Sequence, residues 1–561
     1  LGVAQQEMEQ YDAATVAYER ALELEPKNIS ALCNLGSTRQ AQKQLEHAKQ
    51  TYLAALAIDP AFERAHFALG NCYVLMNEPL LALECYHKTV EINPDYRDAY
   101  VNISATFSNI GRIEEAIEAC RKGLAVCPLW ETLFSNYLFL LSHSTDINPK
   151  QLFAEHQRFS ATFETHIAQG HAGHSNIRDP LRTLKVGFVS GDLHNHPVPH
   201  FLIPILENIA DGAKLSLYAY HNNPQNDDIT ERLREVIPHW RQVEHLSDPD
   251  LGQMIRDDGI DILIDLSGHT GKNRLLMFAA RPAPVQASWI GYPLTTGLQS
   301  IDYYLGDKFF TPPDALGDQF SEKLLLLPAC VPFLPSKVAP SIQPAPILTN
   351  GYITFGSFNR TNKINRQVIA RWARVLRAIP DAKMIVAAMP KSEAPPQLAA
   401  WFAEEGIAPE RLTFEGRTGM AQFMAIHHRI DICLDAFPYC GSTTTLHALW
   451  MGVPTLTTAG PTMPSRAGNM IMRQVELDDF IATDEDDLVR KSVAMAANPM
   501  LLGAYRFSMR HRLERSVLGK PKLITEGLEN GLRIVWQRWC EGLPPVSFEA
   551  PVAVPNPPIG L

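Results

Sequence analysis

Residues 439–452 read YCGSTTTLHALWMG: a glycine and four hydroxyl side chains, Ser442, Thr443, Thr444 and Thr445, stand directly ahead of an apolar stretch of helical character. One Ser or Thr is enough to cap a helix start, by accepting a hydrogen bond from an exposed backbone N–H. Four exceed what capping needs. The surplus hydroxyls, the unpaired N–H groups and the partial positive charge of a helix N-terminus together suit an anion such as a phosphate. An ordinary cap in a Thr-rich turn is the plainer alternative, and the surrounding sequence has to decide between them.

An anion site of this kind needs a strand to deliver the loop to the rim of a sheet. DICLDAF (431–437) stands just ahead of the stretch and VPTLTTA (453–459) just behind it. The same alternation runs upstream. YITFGSFN (352–359), KMIVAA (383–388) and RLTFEG (411–416) read as strands, separated by helices over 365–379, 396–405 and 419–428, with a further helix over 464–474. Before them, LKVGFVS (184–190), LSLYAY (215–220), DILIDLS (261–267), VQASWIG (285–291) and IDYYLG (301–306) form an earlier set, with helices near 199–210 and 248–258. The proline-rich VPFLPSKVAPSIQPAPI (331–347) separates the two sets as a linker. Strands alternating with helices predict parallel, doubly wound sheets. Such sheets bind ligands at the carboxyl ends of their strands. YCGSTTTLHALW, GSFNRTNK and GYPLTTG all fall at such ends. Several small-residue loops thus face one crevice between two Rossmann-like domains, the layout of a nucleotide-sugar glycosyltransferase of the GT-B type. That context favours the anion over the plain cap.

A different pattern fills the first part of the chain. Pro26, Pro60, Pro94 and Pro128 are spaced 34 residues apart, and Ala14, Ala48, Ala82 and Ala116 keep the same period. Tyr18, Tyr52 and Tyr86 keep it too, and Leu35-Gly36 recurs as Leu69-Gly70. Thirty-four is the tetratricopeptide period. The small Ala lets two antiparallel helices approach, the aromatic fills the gap beside it, and the proline stops the second helix. The first unit is expected to lack its opening helix. Stacks of this kind offer a concave groove to polypeptides, or serve as a dimerisation arm. The predicted organisation is therefore repeats over 1–128, a helical linker over 129–180, and Rossmann-like domains over 181–345 and 346–545. A proline-rich tail over 546–561 completes it. In fold class it is a helical repeat superhelix followed by a two-domain α/β GT-B fold.

Composition narrows the class of function. Apolar residues make up 46% and charged residues 20% of the 561, which fits a globular protein. The net charge of −11 argues against general binding to nucleic acid or anionic membrane. No apolar run reaches the roughly 18 residues of a membrane span. Nine scattered cysteines without a CxxC pair fit reduced thiols in a cytoplasmic protein.

Tandem repeats followed by VSGDLHNHPVPH, RPAPVQASWIGYPLTTG, FGSFNRTNKIN and DICLDAFPYCGSTTTLHALWMGVPTLT resemble the O-GlcNAc transferases, as a bacterial member of that family. The resemblance implies a UDP-sugar donor, inversion at the anomeric carbon, no metal or other cofactor, and transfer to Ser or Thr of proteins. By motif, Lys363 matches the lysine that holds the donor diphosphate, where a fixed ammonium offsets the charge gained by the leaving UDP. Ser442, Thr443 and Thr444 match the phosphate-contacting stretch. Gly291 and Pro293 match the loop beneath the sugar and β-phosphate, and Asn359 and Arg360 positions near the diphosphate. His196 matches a histidine that acts as base or positions the acceptor, since a neutral imidazole can take a hydroxyl proton. His269 is a further candidate lining the crevice. His194, His196 and His200 also invite a metal, but the turn bears prolines and no neighbouring Cys or carboxylate cluster completes a shell.

Three positions depart from the animal enzymes: Phe423 in place of a histidine near the uracil, Met420 in place of a lysine, and His447 in place of the aspartate that contacts the ribose. The diphosphate site is thus more firmly legible than the base, ribose or sugar preference. The alternatives are a protein fucosyl- or glucosyltransferase using another nucleotide sugar, and a non-catalytic repeat scaffold. The expected partners are UDP or UDP-GlcNAc and a protein or peptide acceptor in the repeat groove, with homodimerisation as a second use of the repeats.

Overall fold

The computed structural model describes residues 1–167, 173–210, 212–390 and 395–553. The chain forms two compact units, Leu1–Leu140 and Leu141–Leu561. The expected helical linker over 129–180 and the expected tail over 546–561 lie partly outside the described residues.

In the first unit, helices Tyr11–Leu24, Leu45–Ile58, Pro79–Ile92 and Ile113–Val126 alternate with Ile29–Ala41, Glu63–Leu75 and Arg97–Asn109. Pro26, Pro60, Pro94 and Pro128 each stand just beyond a helix end, where the missing N–H and fixed φ forbid another turn. Ala14, Ala48, Ala82 and Ala116 are fully buried. The periodic Leu-Gly pairs have a steric cause. A Cβ on Gly36 would lie 2.5 Å from the ring of Tyr52, and one on Gly70 equally close to Tyr86. Each tyrosine ring therefore occupies the space that a side chain would need on the preceding helix. Gly2 stands in the same relation to Tyr18 at 2.8 Å, in a helix Gly2–Glu7. This corrects the expectation that the first unit lacks its opening helix. The helical pattern continues past Pro128 into Glu131–Leu141, which starts one period after Arg97.

The second unit holds two parallel sheets. The first contains β1 (Leu184–Ser190), β2 (Leu215–His221), β3 (His239–Gln242), β4 (Ile262–Asp265), β5 (Val285–Ser288), β6 (Tyr303–Asp307) and β7 (Lys323–Leu327). The second contains β8 (Thr354–Ser357), β9 (Lys383–Met389), β10 (Leu412–Gly416), β11 (Ile432–Leu434), β12 (Thr455–Thr458) and β13 (Ile481–Ala482). A last short strand, β14 (Phe548–Glu549), returns to the first sheet beside β7. The orders are β14-β7-β6-β5-β4-β1-β2-β3 and β10-β9-β8-β11-β12-β13. Strands such as ILID and TFGS are buried along their whole length, as sheets covered on both faces require. In each sheet the winding reverses once, between β1 and β4 and between β8 and β11. Crevices at such reversals receive ligands.

Two expected boundaries move. Helix Pro149–Ile167, predicted as linker, packs on helix Leu275–Ala279 of the first sheet's domain. Helix Pro521–Cys540 belongs with the first sheet and not with the 346–545 domain: it packs on β7 and on helix Pro197–Leu206. Its Trp536 is fully buried and donates to the Asp179 carbonyl at 2.9 Å, and its Thr525 donates to Ile205 O at 3.0 Å. Burial of that apolar face against the first sheet draws the chain end back across the domains.

Gly70→Val inserts three carbons where Tyr86 already sits. Denaturant unfolding of the repeat unit should lose roughly 1–3 kcal/mol, the usual cost of overpacking. An unchanged midpoint would mean that the tyrosine does not pack on this glycine.

Candidate active site

The second sheet's reversal carries the opening stretch. β11 ends into Asp435, whose buried carboxylate accepts from Ala436 N at 2.9 Å, Gly441 N at 2.8 Å and Thr457 Oγ1 at 2.8 Å. It thereby folds residues 436–441 back toward β8. At Gly441 a Cβ would meet the hydroxyls of Thr444 and Thr445 at 2.8 and 2.9 Å and Asn359 Oδ1 at 3.1 Å, so only glycine lets loop, helix and β8 close together. Ser442 is the N-cap of helix Thr443–Trp450, yet its side chain makes no capping hydrogen bond. Thr445 is buried, whereas Ser442, Thr443 and Thr444 keep partial exposure. The hydroxyls beyond those needed for capping therefore stand at the open end of the helix. Asn359 donates to Ser357 Oγ at 3.2 Å, but its buried Oδ1, like that of Asn362, has no partner. An uncompensated buried acceptor of this kind points to a donor supplied by something else.

Lys363 closes the short turn Thr361–Lys363 that follows β8. Its Nζ donates to the Cys440 carbonyl at 2.9 Å and lies 4.4 Å from the centroid of the Tyr439 ring. Burial lowers its pKa from the usual 10.5 to about 8; Asp435 and Cys440 oppose the shift and Arg360 adds to it. Arg360 itself is exposed at the start of the same turn. Two cations and a helix N-terminus thus converge and call for an anion, beside amide oxygens that call for a donor.

An aromatic group borders this loop. Phe423 stands edge-on to Phe358 at 5.1 Å, and the His427 ring stacks on Phe358 at 3.8 Å. His447 lies 5.9 Å from both Phe333 and Phe423; its Nδ1 is buried without a partner, and burial lowers its pKa to about 4. Met420 is 47% exposed at the start of its helix and takes no part in that cluster's packing.

The first sheet's reversal presents the histidines. His196 is the N-cap of helix Pro197–Leu206; its Nδ1 lies 3.5 Å from Val198 N and 3.7 Å from Asp192 Oδ2. Burial lowers its pKa, Asp192 offsets part of the shift, and His194, Arg360 and His200 reinforce it, so the ring is held neutral at neutral pH. The positive charge of Arg360 helps to lower the His196 pKa and that of His200 helps to lower the His447 pKa. His194 and His196 rings are 6.1 Å apart. Among the described residues no three His, Cys, Asp or Glu side chains form a metal-binding group.

The GYPLTTG loop is braced from below. A Cβ on Gly291 would lie 2.0 Å from the Leu266 carbonyl oxygen, so the loop passes closer to β4 than any other residue allows. Pro293 remains part-exposed. The buried Glu322 carboxylate accepts from Thr295 Oγ1 at 2.6 Å and Thr296 N at 2.8 Å. From helix Pro149–Ile167, Glu164 accepts from Gln299 N at 2.9 Å and Ser300 N at 2.6 Å, and His156 Nε2 bonds Tyr292 Oη at 2.9 Å. His269 is not at the crevice surface, contrary to expectation. It is 0% exposed, enclosed by Phe159, Tyr292 and His156, and its Nε2 donates to the Thr296 carbonyl at 2.8 Å. Its ring supports the loop.

Two doubly wound sheets whose reversals meet at one crevice define the GT-B architecture. Residues 168–334 and 334–528 match the model described as glycosyl transferase family 41, and the chain belongs to that family. Tetratricopeptide repeat models match 6–43, 29–62 and 98–128. The chain is 33% identical over 415 residues to a probable UDP-N-acetylglucosamine–peptide N-acetylglucosaminyltransferase, SPINDLY, of Petunia hybrida, covering 72% of this chain and 44% of that protein. It is 27% identical over 381 residues to the probable transferase SEC of Arabidopsis thaliana, covering 66% and 39%. The chain thus spans less than half the length of these plant relatives. A solved mutant O-GlcNAc transferase of Thermobaculum terrenum superposes with a TM-score of 0.83 at 29% identity, covering 92% of this chain and 98% of that one.

Asp435, Tyr439, His156, Glu164 and Glu322 escape the motif reading. Asp435 had a signal, as a carboxylate at a strand's carboxyl end, and Tyr439 stood in the quoted 439–452 stretch itself; His156, Glu164 and Glu322 are joined to the site only by long-range contacts. Gly291→Ala forces the loop off the Leu266 carbonyl, and chemical denaturation should register a loss of about 1–3 kcal/mol. Retained stability would place the loop farther from β4 than described.

Proposed function

We propose that the crevice binds a UDP-sugar, with UDP-GlcNAc as donor, and transfers the sugar with inversion to Ser or Thr hydroxyls of proteins. The convergence of Lys363, Arg360 and the Ser442–Thr444 helix start supports a diphosphate there and carries the reading; the unpaired Asn359 and Asn362 oxygens, being acceptors, suit a hydroxyl or N–H of the same ligand. The family membership supports glycosyl transfer, and the names of the plant and Thermobaculum relatives support GlcNAc and peptide acceptors. Near-complete mutual coverage with the Thermobaculum protein supports a bacterial type of enzyme. The acceptor oxygen attacks the anomeric carbon, the bond to the β-phosphate oxygen breaks, and UDP leaves with the bonding pair. Lys363 and the helix N-terminus offset the charge that UDP gains. His196, held neutral, receives the acceptor's proton. Phe423 and His447 border the nucleoside, with His447 Nδ1 available to a ribose or base group. No divalent metal is required on this reading, the repeat groove takes the polypeptide or a second copy, and the protein works in the cytoplasm. Among the described residues no helix is long and apolar enough to cross a membrane.

Incubation with UDP-GlcNAc and, separately, GDP-fucose and UDP-glucose, followed by mass spectrometry of protein acceptors, tests the reading. A HexNAc adduct on Ser or Thr supports it; a fucose or hexose adduct alone establishes the rival donor. Chelation by EDTA should leave transfer intact, and a loss restored by one divalent ion would contradict metal independence.

Lys363→Ala should lower kcat on the order of 10²–10³, as removal of a preorganised charge contact does, with the unfolding midpoint no lower than in the parent. Full turnover in the folded variant would take Lys363 out of the reaction. The acid limb of the pH–rate profile should fall below 6.5, because burial depresses His196 and the base is lost only on its protonation. His196→Ala should remove that limb; its persistence would assign the proton to another group.

A further inference from the structure

Two contacts meet on the ring of Tyr439. The Lys363 ammonium lies 4.4 Å from its centroid, and the imidazole of His143 stacks on it at 4.1 Å with 15° between the planes. His143 is 2% exposed, and its Nδ1 lies 3.1 Å from Ser142 Oγ. It belongs to the short segment between helices Glu131–Leu141 and Pro149–Ile167. Nearby in that segment, Thr145 hydrogen-bonds Gln367, on the helix that follows Lys363. We propose that Tyr439 is a positioning residue that holds the Lys363 ammonium over its ring face, and that His143 fixes that ring by stacking.

A lysine carries four rotatable carbons and three donors, and here one carbonyl, Cys440 O, takes one donor. A single hydrogen bond leaves the head free to swing. A ring face at 4.4 Å adds a second constraint, and it strengthens where water is thin. The other groups acting on the ammonium are Asp435 and Cys440, which favour its charged form, and Arg360, which opposes it. The Tyr439 phenol is neutral at working pH, since burial raises it. The ring therefore acts on Lys363 through its quadrupole. This inference rests on the reading of Lys363 as the diphosphate lysine, but the contact itself can be tested apart from activity.

Competitive acetylation of the full-length protein at a series of pH values, read at Lys363 by mass spectrometry, measures the proton affinity of this one amine. Tyr439→Leu keeps an apolar side chain but removes the ring face. It should weaken proton binding at Lys363 by about tenfold, whereas Tyr439→Phe should stay within about twofold of the parent. His143→Ala should shift Lys363 in the same direction by less, and His143→Phe should restore it. Turnover should follow, with kcat falling about tenfold in Tyr439→Leu while the donor KM changes little. Equal labelling profiles in the parent, Tyr439→Leu and His143→Ala would overturn the proposal, as would lost turnover with an unshifted Lys363. Shifted profiles in a protein that transfers no sugar would leave the positioning intact and defeat the glycosyltransferase reading. If Tyr439→Leu fails to fold, the His143→Ala and His143→Phe pair decides by the same readout.

Discussion

The site depends on one ammonium group kept largely out of water. Removing a cation from water costs several kcal/mol unless other groups stand in for the solvent. Around Lys363 those groups are a carbonyl at 2.9 Å, an aromatic face at 4.4 Å and the field of Asp435. They compensate only in part, since its pKa still falls to about 8. The group is thus left wanting an anion. Asp435 links this demand to the fold. The carboxylate that acts on Lys363 also accepts from Gly441 N and Thr457 Oγ1, and so sets the turn that aims the Thr443 helix start. One buried acid shapes the loop and tempers the cation.

Parallel winding explains why these parts meet. The β8–β11 reversal opens beside Asn359 and Asp435, and the β1–β4 reversal opens beside His196 and the loops braced by Asp265. Asp265 takes part by accepting from Gly268 N and Ser288 Oγ, each at 2.8 Å, and burial raises its pKa to about 6. Each half contributes one chemical type. The second supplies charge for an anion, and the first supplies a neutral imidazole and a glycine loop. The final helix and β14 tie the halves together a second time by packing back on the first sheet.

Much of this was legible in the sequence because it is periodic or local. The 34-residue columns placed the repeats, since Ala48 and the Gly36–Tyr52 contact recur wherever the helices must approach. Apolar runs such as LKVGFVS marked strands buried on both faces, and small-residue loops after them marked the crevice. What stayed hidden depends on contacts between distant residues. HWRQ of β3 is polar because it forms an edge, so it lacks the strand signature. Nothing in PKQLFAEHQRFSATFETHI reveals that His156 and Glu164 brace a loop more than a hundred positions away. A histidine after a strand, as His269 is, reads alike whether it faces the crevice or turns into the core; here Phe159 and Tyr292 enclose it.

The central claim is that the crevice is an anion site completed by a nucleoside diphosphate. Calorimetric titration of the parent protein and of Lys363→Met with UDP tests it most directly, because it needs neither the acceptor nor the sugar. The account predicts one UDP per chain in the parent and binding roughly tenfold or more weaker in the variant, the worth of a charged hydrogen bond. Equal affinity in the two proteins, or no UDP binding in the parent, would contradict it.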